Sequence, residues 1–150
     1  MDRGYIYVNT TNLKKNLSYL SSMTKKELCL VVKANAYGHG IQWSVKTAEG
    51  AGINWFAIAS VNEAIQVRNI SKNARILLLA EPSKTQIKNV LKNEIDLTVY
   101  NEEFINELIN DGGKFNVHLK VDTGMHRIGC EPKNFDKLME KIQTSSLNLV

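Results

Sequence analysis

Six short stretches of the 150-residue chain are apolar and rich in β-branched side chains, and longer stretches with apolar residues at helical spacing separate them. Strands are expected over Leu28 to Lys33, Trp55 to Ser60, Arg75 to Ala80, Ile95 to Val99, Phe115 to Asp122, and Leu147 to Val150. Most of these are near-continuous apolar runs, which suits parallel strands covered on both faces better than strands with one wet face. The intervening helices are expected over Gln42 to Ala51, Asn62 to Ile70, Lys84 to Lys92, Glu102 to Asn110, and Asn134 to Thr144.

The punctuation agrees with that reading. Ser60-Val61-Asn62-Glu63 and Asn101-Glu102-Glu103 place capping residues and acids at helix starts, and Asp111-Gly112-Gly113 makes a C-terminal stop. Alternating strands and helices with short loops predict an α/β fold. Three successive strand starts, Arg75, Ile95 and Phe115, are about twenty residues apart, the spacing of the compact units a (β/α)8 TIM-type barrel repeats, although a doubly wound open sheet gives similar local signals. Ahead of them, Tyr5 to Asn9 alternates like a separate strand, and Thr11 to Met23 reads as a helix with the apolar stripe Leu13, Leu17 and Leu20. Leu77, Leu78 and Leu79, with Phe104, Leu108 and Ile109, are expected in the core.

Composition narrows the function classes. With 43% hydrophobic and 23% charged residues, the chain has the balance of an ordinary globular domain. No apolar run approaches the ~20 residues of a membrane helix, and the start Met-Asp-Arg-Gly-Tyr lacks a signal-peptide core, so a cytoplasmic protein without a membrane partner is expected. The net charge is +4, but the basic residues are scattered, which reads as solvation and not as a nucleic-acid surface. Cys29 and Cys130 stand far apart in no metal-binding pattern and are expected as free thiols. His39, His118 and His126 likewise lack metal-ligand spacing; hydrogen-bonding roles are expected and no metal.

The chemistry concentrates in two stretches. In Val31-Val32-Lys33-Ala34-Asn35-Ala36-Tyr37-Gly38-His39-Gly40, a buried strand runs into a lysine and then into small residues and glycines. A lysine there is costly unless its amine is paired, neutralised or covalently used, and the C-terminal mouth of a parallel barrel is where such a residue acts. By itself the position also fits a surface lysine that snorkels to water. Tyr37 can offer a hydroxyl at the same mouth, and Gly38 and Gly40 let backbone approach a ligand. The whole string resembles the pyridoxal-phosphate attachment motif of alanine racemases. The resemblance implies that Lys33 is the catalytic lysine, forming an aldimine with pyridoxal 5'-phosphate, and that Tyr37 binds its phosphate.

In the second stretch, His118-Leu119-Lys120-Val121-Asp122-Thr123-Gly124-Met125-His126-Arg127-Ile128-Gly129, period-two geometry puts His118, Lys120 and Asp122 on one face and Val117, Leu119 and Val121 on the other. A strand, a Gly-Met turn and a solvated arginine would also account for it. Lys-x-Asp-Thr-Gly-Met-x-Arg is similar to the second signature of the same family. That implies that Arg127 contacts the cofactor's phenolic oxygen and the substrate carboxylate, and that Lys120 is a candidate for carbamylation, its modified group orienting Arg127.

The resemblance spans nearly the whole chain. It implies a racemase, an isomerase interconverting L- and D-alanine and supplying D-alanine for peptidoglycan, with Lys33 as the base on one face of the substrate and a homodimer as the complete protein. A racemase acting on serine or on several amino acids, a non-catalytic protein binding pyridoxal phosphate on the same barrel, and an inactive truncated product are the alternatives. Only five barrel strands and the start of a sixth are expected here, whereas a closed barrel has eight and ~250 residues. Residues 1–150 are therefore expected to be the N-terminal part of a barrel domain, with its later strands, the second catalytic base and a C-terminal β domain outside, and the chain alone is expected to be inactive.

Overall fold

The structure, a computed structural model, describes residues 4–150. The first three residues, part of the start that reads as lacking a leader core, lie outside them. Asn9 caps helix α1 (Thr10–Met23) by accepting a hydrogen bond from the Asn12 amide at 2.9 Å. There follow β1 (Cys29–Val31), a short turn α2 (Lys33–Tyr37), α3 (Ile41–Glu49), β2 (Trp55–Ile58), α4 (Val61–Ile70) and β3 (Arg75–Leu78). The second half continues with a 3-10 turn into α5 (Ile87–Lys92), β4 (Ile95–Val99), α6 (Glu102–Asp111), β5 (Asn116–Leu119), another 3-10 turn into α7 (Phe135–Gln143), and β6 (Asn148–Leu149). All strands pair in parallel in the order β1-β2-β3-β4-β5-β6, so each strand lies beside its successor. This is the arc of a TIM-type barrel, not closed within these residues.

The caps form as the sequence predicts. Ser60 and Glu63 make a reciprocal capping box at the start of α4, Asn101 accepts from the Phe104 amide at 2.7 Å, and α6 stops where Gly112 turns left-handed at φ 77°. The core lies between sheet and helices. Phe56, Ile58, Ile76, Leu78, Leu97, Val99 and Val117 meet Val45, Ala64, Val67, Val90, Ile105, Leu108 and Ile142 from the helices, all essentially without solvent contact. Leu77, Leu79 and Ile109 are only half-buried.

Three expectations are corrected. Tyr5 to Asn9 is not a strand, and Tyr5, Ile6 and Tyr7 are exposed, because no neighbouring strand among the described residues takes up their backbone groups. In α1, which packs on α3, Leu17 is buried, but Leu20 is exposed. Cover on both faces holds for β4, buried at all five positions, and fails for β3, which alternates between half-buried and buried residues.

The other face is polar at the strands' N-terminal end. Asp96, 3% exposed, takes Arg75 Nε at 2.9 Å and His118 Nε2 at 3.3 Å on one oxygen and Asn116 Nδ2 at 2.9 Å on the other. The Arg75 guanidinium lies 4.4 Å from the centre of the Trp55 ring, which stacks with His118 in turn. Four strands are thus tied across one face. Burial by itself pushes the Asp96 carboxyl up, but the hydrogen bonds from His118, Arg75 and Asn116 outweigh it and hold the group below the ordinary carboxylate value.

A carboxyl whose folded-state value is depressed contributes stability that is present above its unfolded value and lost as pH falls through the folded one. Asp96→Asn is therefore expected to lower stability at pH 7 by about 1–3 kcal/mol and to flatten the loss of stability below about pH 4. Urea titrations of parent and variant at several pH values check both.

Candidate functional site

Parallel pairing carries the C-terminal ends of β1 and β5 to the same end of the sheet, and both sequence motifs begin there. Lys33 is not on the strand. β1 ends at Val31, and the chain enters α2 with Ala34, Asn35, Ala36 and Tyr37 all at φ between 50° and 54°. That is a left-handed helical turn, which costs non-glycine residues roughly 1–2 kcal/mol each. Ala-Asn-Ala-Tyr has no intrinsic reason to wind this way, apart from the tolerance of Asn for such backbone.

Neighbouring groups over-determine the turn. The Val32 carbonyl accepts from the Ala36 amide at 2.8 Å, and the Asn35 carbonyl accepts from Gly40 at 2.9 Å. Asn35 Oδ1 accepts the Ile41 amide at 2.9 Å, which joins the turn to the start of α3. Glu63, reaching from α4, accepts the Ala34 amide at 2.6 Å. Gly38 at φ 88° and Gly40 at φ 91° complete the exit from the turn. Lys33 is half-buried, and its amine makes no hydrogen bond or ion pair among the described residues. Tyr37 is 60% exposed, and its hydroxyl is equally free there.

The second motif closes a loop after β5. The Asp122 amide donates to the Cys130 carbonyl and the Cys130 amide to the Lys120 carbonyl, both at 2.9 Å, so the loop returns to the strand it left. Asp122 Oδ1 accepts the Gly124 and His126 amides at 3.0 Å, and Oδ2 lies 3.3 Å from His126 Nδ1. The two backbone donors, with His126 beside them, hold the Asp122 carboxyl below its usual range. Gly129 makes the closure possible: at φ 130°, a Cβ would lie 2.5 Å from the Asp122 nitrogen. Arg127 is exposed on this loop and Lys120 half-buried at its base, with no side-chain partner for either among the described residues.

Lys33 with Tyr37, and Lys120 with Arg127, are thus two pairs on one rim, and among the described residues no hydrogen bond joins one pair to the other. The face assignment of β5 holds at its base, where His118 joins the Asp96 cluster and Val117 is buried against the helices. A cavity of about 400 Å³ runs beside the unpaired edge of β1, lined by Leu13, Leu30, Val32, Tyr37 and His39 among others, but it takes in none of Lys33, Lys120 and Arg127. Sequence reasoning missed Asn35, Asp122 and the second contact of Glu63. Asn before a glycine-rich exit was a legible hint for Asn35; nothing local announced that Glu63 reaches beyond its own helix cap.

Residues 8–150 match the family described as alanine racemase, N-terminal domain. An alanine racemase of Treponema denticola is 40% identical over 141 residues, covering 90% of this chain and 37% of the relative. An amino-acid racemase of Enterococcus faecalis is 35% identical over 140 residues, covering 92% of this chain and 20% of that protein. The crystal structure of alanine racemase from E. faecalis superposes with a TM-score of 0.87 at 27% identity, over 95% of this chain and 41% of that one. The chain therefore spans about two-fifths or less of the length of these proteins.

Two substitutions check the backbone argument. Ala34→Gly is expected to stabilise the protein by about 0.5–1 kcal/mol, because relief of left-handed strain exceeds the added entropy of the unfolded chain. Gly129→Ala is expected to destabilise by roughly 2–4 kcal/mol through clash and strain. Urea unfolding of both variants measures the two shifts, which are opposite in sign.

Proposed function

The chain belongs to the alanine racemase family, and on that premise we propose that the protein is a pyridoxal-phosphate-dependent racemase of alanine, supplying D-alanine for peptidoglycan. The observation that carries this reading is the unpaired Lys33 amine at the C-terminal rim of a parallel sheet, in the same strained turn as the free Tyr37 hydroxyl.

The donor set suits the cofactor. A primary amine fits its aldehyde, a phenol and glycine-lined backbone suit its phosphate, and a permanently charged planar fork suits its phenolate and a substrate carboxylate. When bound, pyridoxal phosphate supplies an electron sink for the pair left at the α-carbon. Lys33 Nζ would hold the cofactor covalently and, as a free amine, would take or return the α-proton on one face of the substrate. Tyr37 Oη would hold the phosphate, and Arg127 would hold the substrate carboxylate and the phenolic oxygen. Lys120 stands at the base of the Arg127 loop, where a carbamylated amine would orient the guanidinium.

We further propose that residues 1–150 are the N-terminal part of the barrel domain, and that the group serving the opposite face comes from outside them. The share of relatives covered and the unpaired edges of β1 and β6 support this. A cytoplasmic homodimer is part of the same reading; its cysteines are free, and no helix among the described residues is long and apolar enough to cross a membrane. A racemase of broader substrate range is the second reading, favoured by the Enterococcus relative named for amino acids in general.

Mixing the chain with pyridoxal phosphate, reducing with borohydride and mapping the labelled peptide tests the site. Label on Lys33, lost in Lys33→Ala, is expected, and the chain alone is expected not to convert L- to D-alanine. Label spread over surface lysines would sink the assignment of Lys33, and turnover by the chain alone would overturn the proposal that the second face is served from outside.

A further inference from the structure

Glu63 sits in the first turn of α4, and its two carboxylate oxygens divide their work. Oε2 accepts the Ala59 and Ser60 amides at 2.9 and 3.2 Å, which completes the helix cap. Oε1 accepts the Ala34 amide at 2.6 Å, 29 residues back along the chain. The cap would be complete without that second contact. The Ala34 amide belongs to the peptide that links Lys33 to the left-handed turn, so this bond fixes the plane of the peptide and the direction in which Lys33 leaves β1. A carboxylate can accept on both oxygens, whereas an amide side chain offers one acceptor and would set its own N–H against one of the donors.

We propose that Glu63 is a positioning residue for Lys33, holding the Lys33–Ala34 peptide so that the amine is presented at the rim. The proposal rests on the reading of Lys33 as the cofactor-attachment residue. It also accounts for how four successive non-glycine residues stay left-handed, since the bond anchors the first of them to a helix whose own start it caps.

The control is Ser60→Ala, which removes the hydrogen bond from the Glu63 amide to Ser60 Oγ on the same helix and does not touch Ala34. In the chain without cofactor, the exposed Ala34 amide is expected to be protected from deuterium exchange. In Glu63→Gln it exchanges about tenfold faster or more, with β2 and β3 amides unchanged. Borohydride trapping of pyridoxal phosphate on Lys33, followed across pH, is expected to slow about tenfold in Glu63→Gln and to stay within about twofold in Ser60→Ala, although both lose stability.

Equal trapping rates in the two variants, or an Ala34 amide that exchanges freely in the parent, overturn the proposal. If Glu63→Gln does not fold, Glu63→Asp takes its place, too short by one methylene to serve both loops and held to the same comparison. A parent chain that traps no cofactor on Lys33 overturns the attachment reading and this proposal with it, whereas trapping on Lys33 at a rate indifferent to Glu63 overturns this proposal alone.

Discussion

Each strand of the sheet pairs in parallel with the one before it, and the rest of the molecule follows from that. Parallel neighbours need a crossover, so a helix or helical turn must return the chain after every strand, and here the helices cover one face. The same constraint sends every strand's C-terminal end to one rim. Lys33 follows β1 and Arg127 follows β5, and they share that rim because the pairing is in register from Cys29–Trp55 through Val99–Leu119. Toward the opposite end, Trp55 pairs directly with Arg75, and Asp96 and His118, staggered along the next two strands, join them through the hydrogen bonds of Asp96 to Arg75 and His118.

The two ends of the sheet solve opposite problems. At the N-terminal end, a buried carboxylate is made tolerable by hydrogen bonds and an adjacent guanidinium, so polar groups hold strands together on a face that helices do not cover. At the C-terminal rim the backbone is strained, and Lys33, Tyr37, Lys120 and Arg127 have no side-chain partner among the described residues. The left-handed turn and the Gly129 loop are each closed by side-chain acceptors, Glu63 and Asn35 in one case and Asp122 in the other. Strain is confined to short loops whose ends are anchored in regular structure, and Lys33 and Arg127 themselves stay free to bind something else.

Much of the fold was legible because its signals are local. The strand at Ile95 to Val99 has the predicted bounds, and the Ser60–Glu63 and Asn101 caps and the Gly112 stop form at the residues that announce them. The strand ends were overextended at Lys33, Ser60, Ala80 and Asp122, since apolar composition continues into the rim loops while pairing stops. Tyr5 to Asn9 alternates like a strand but has no partner strand among the described residues, and alternation without a partner does not make one.

By itself the sequence determined the α/β class, the order of elements and the two motifs at Lys33 and Arg127, because periodicity, capping and residue type are properties of neighbouring positions. Only the tertiary structure decided that Lys33 opens onto a left-handed turn, that Glu63 reaches across from a helix to hold the Ala34 amide, and that Arg75, Asp96 and His118 form one network. Those facts depend on which strand lies beside which and on hydrogen bonds between residues 20 to 43 positions apart, which no local pattern encodes.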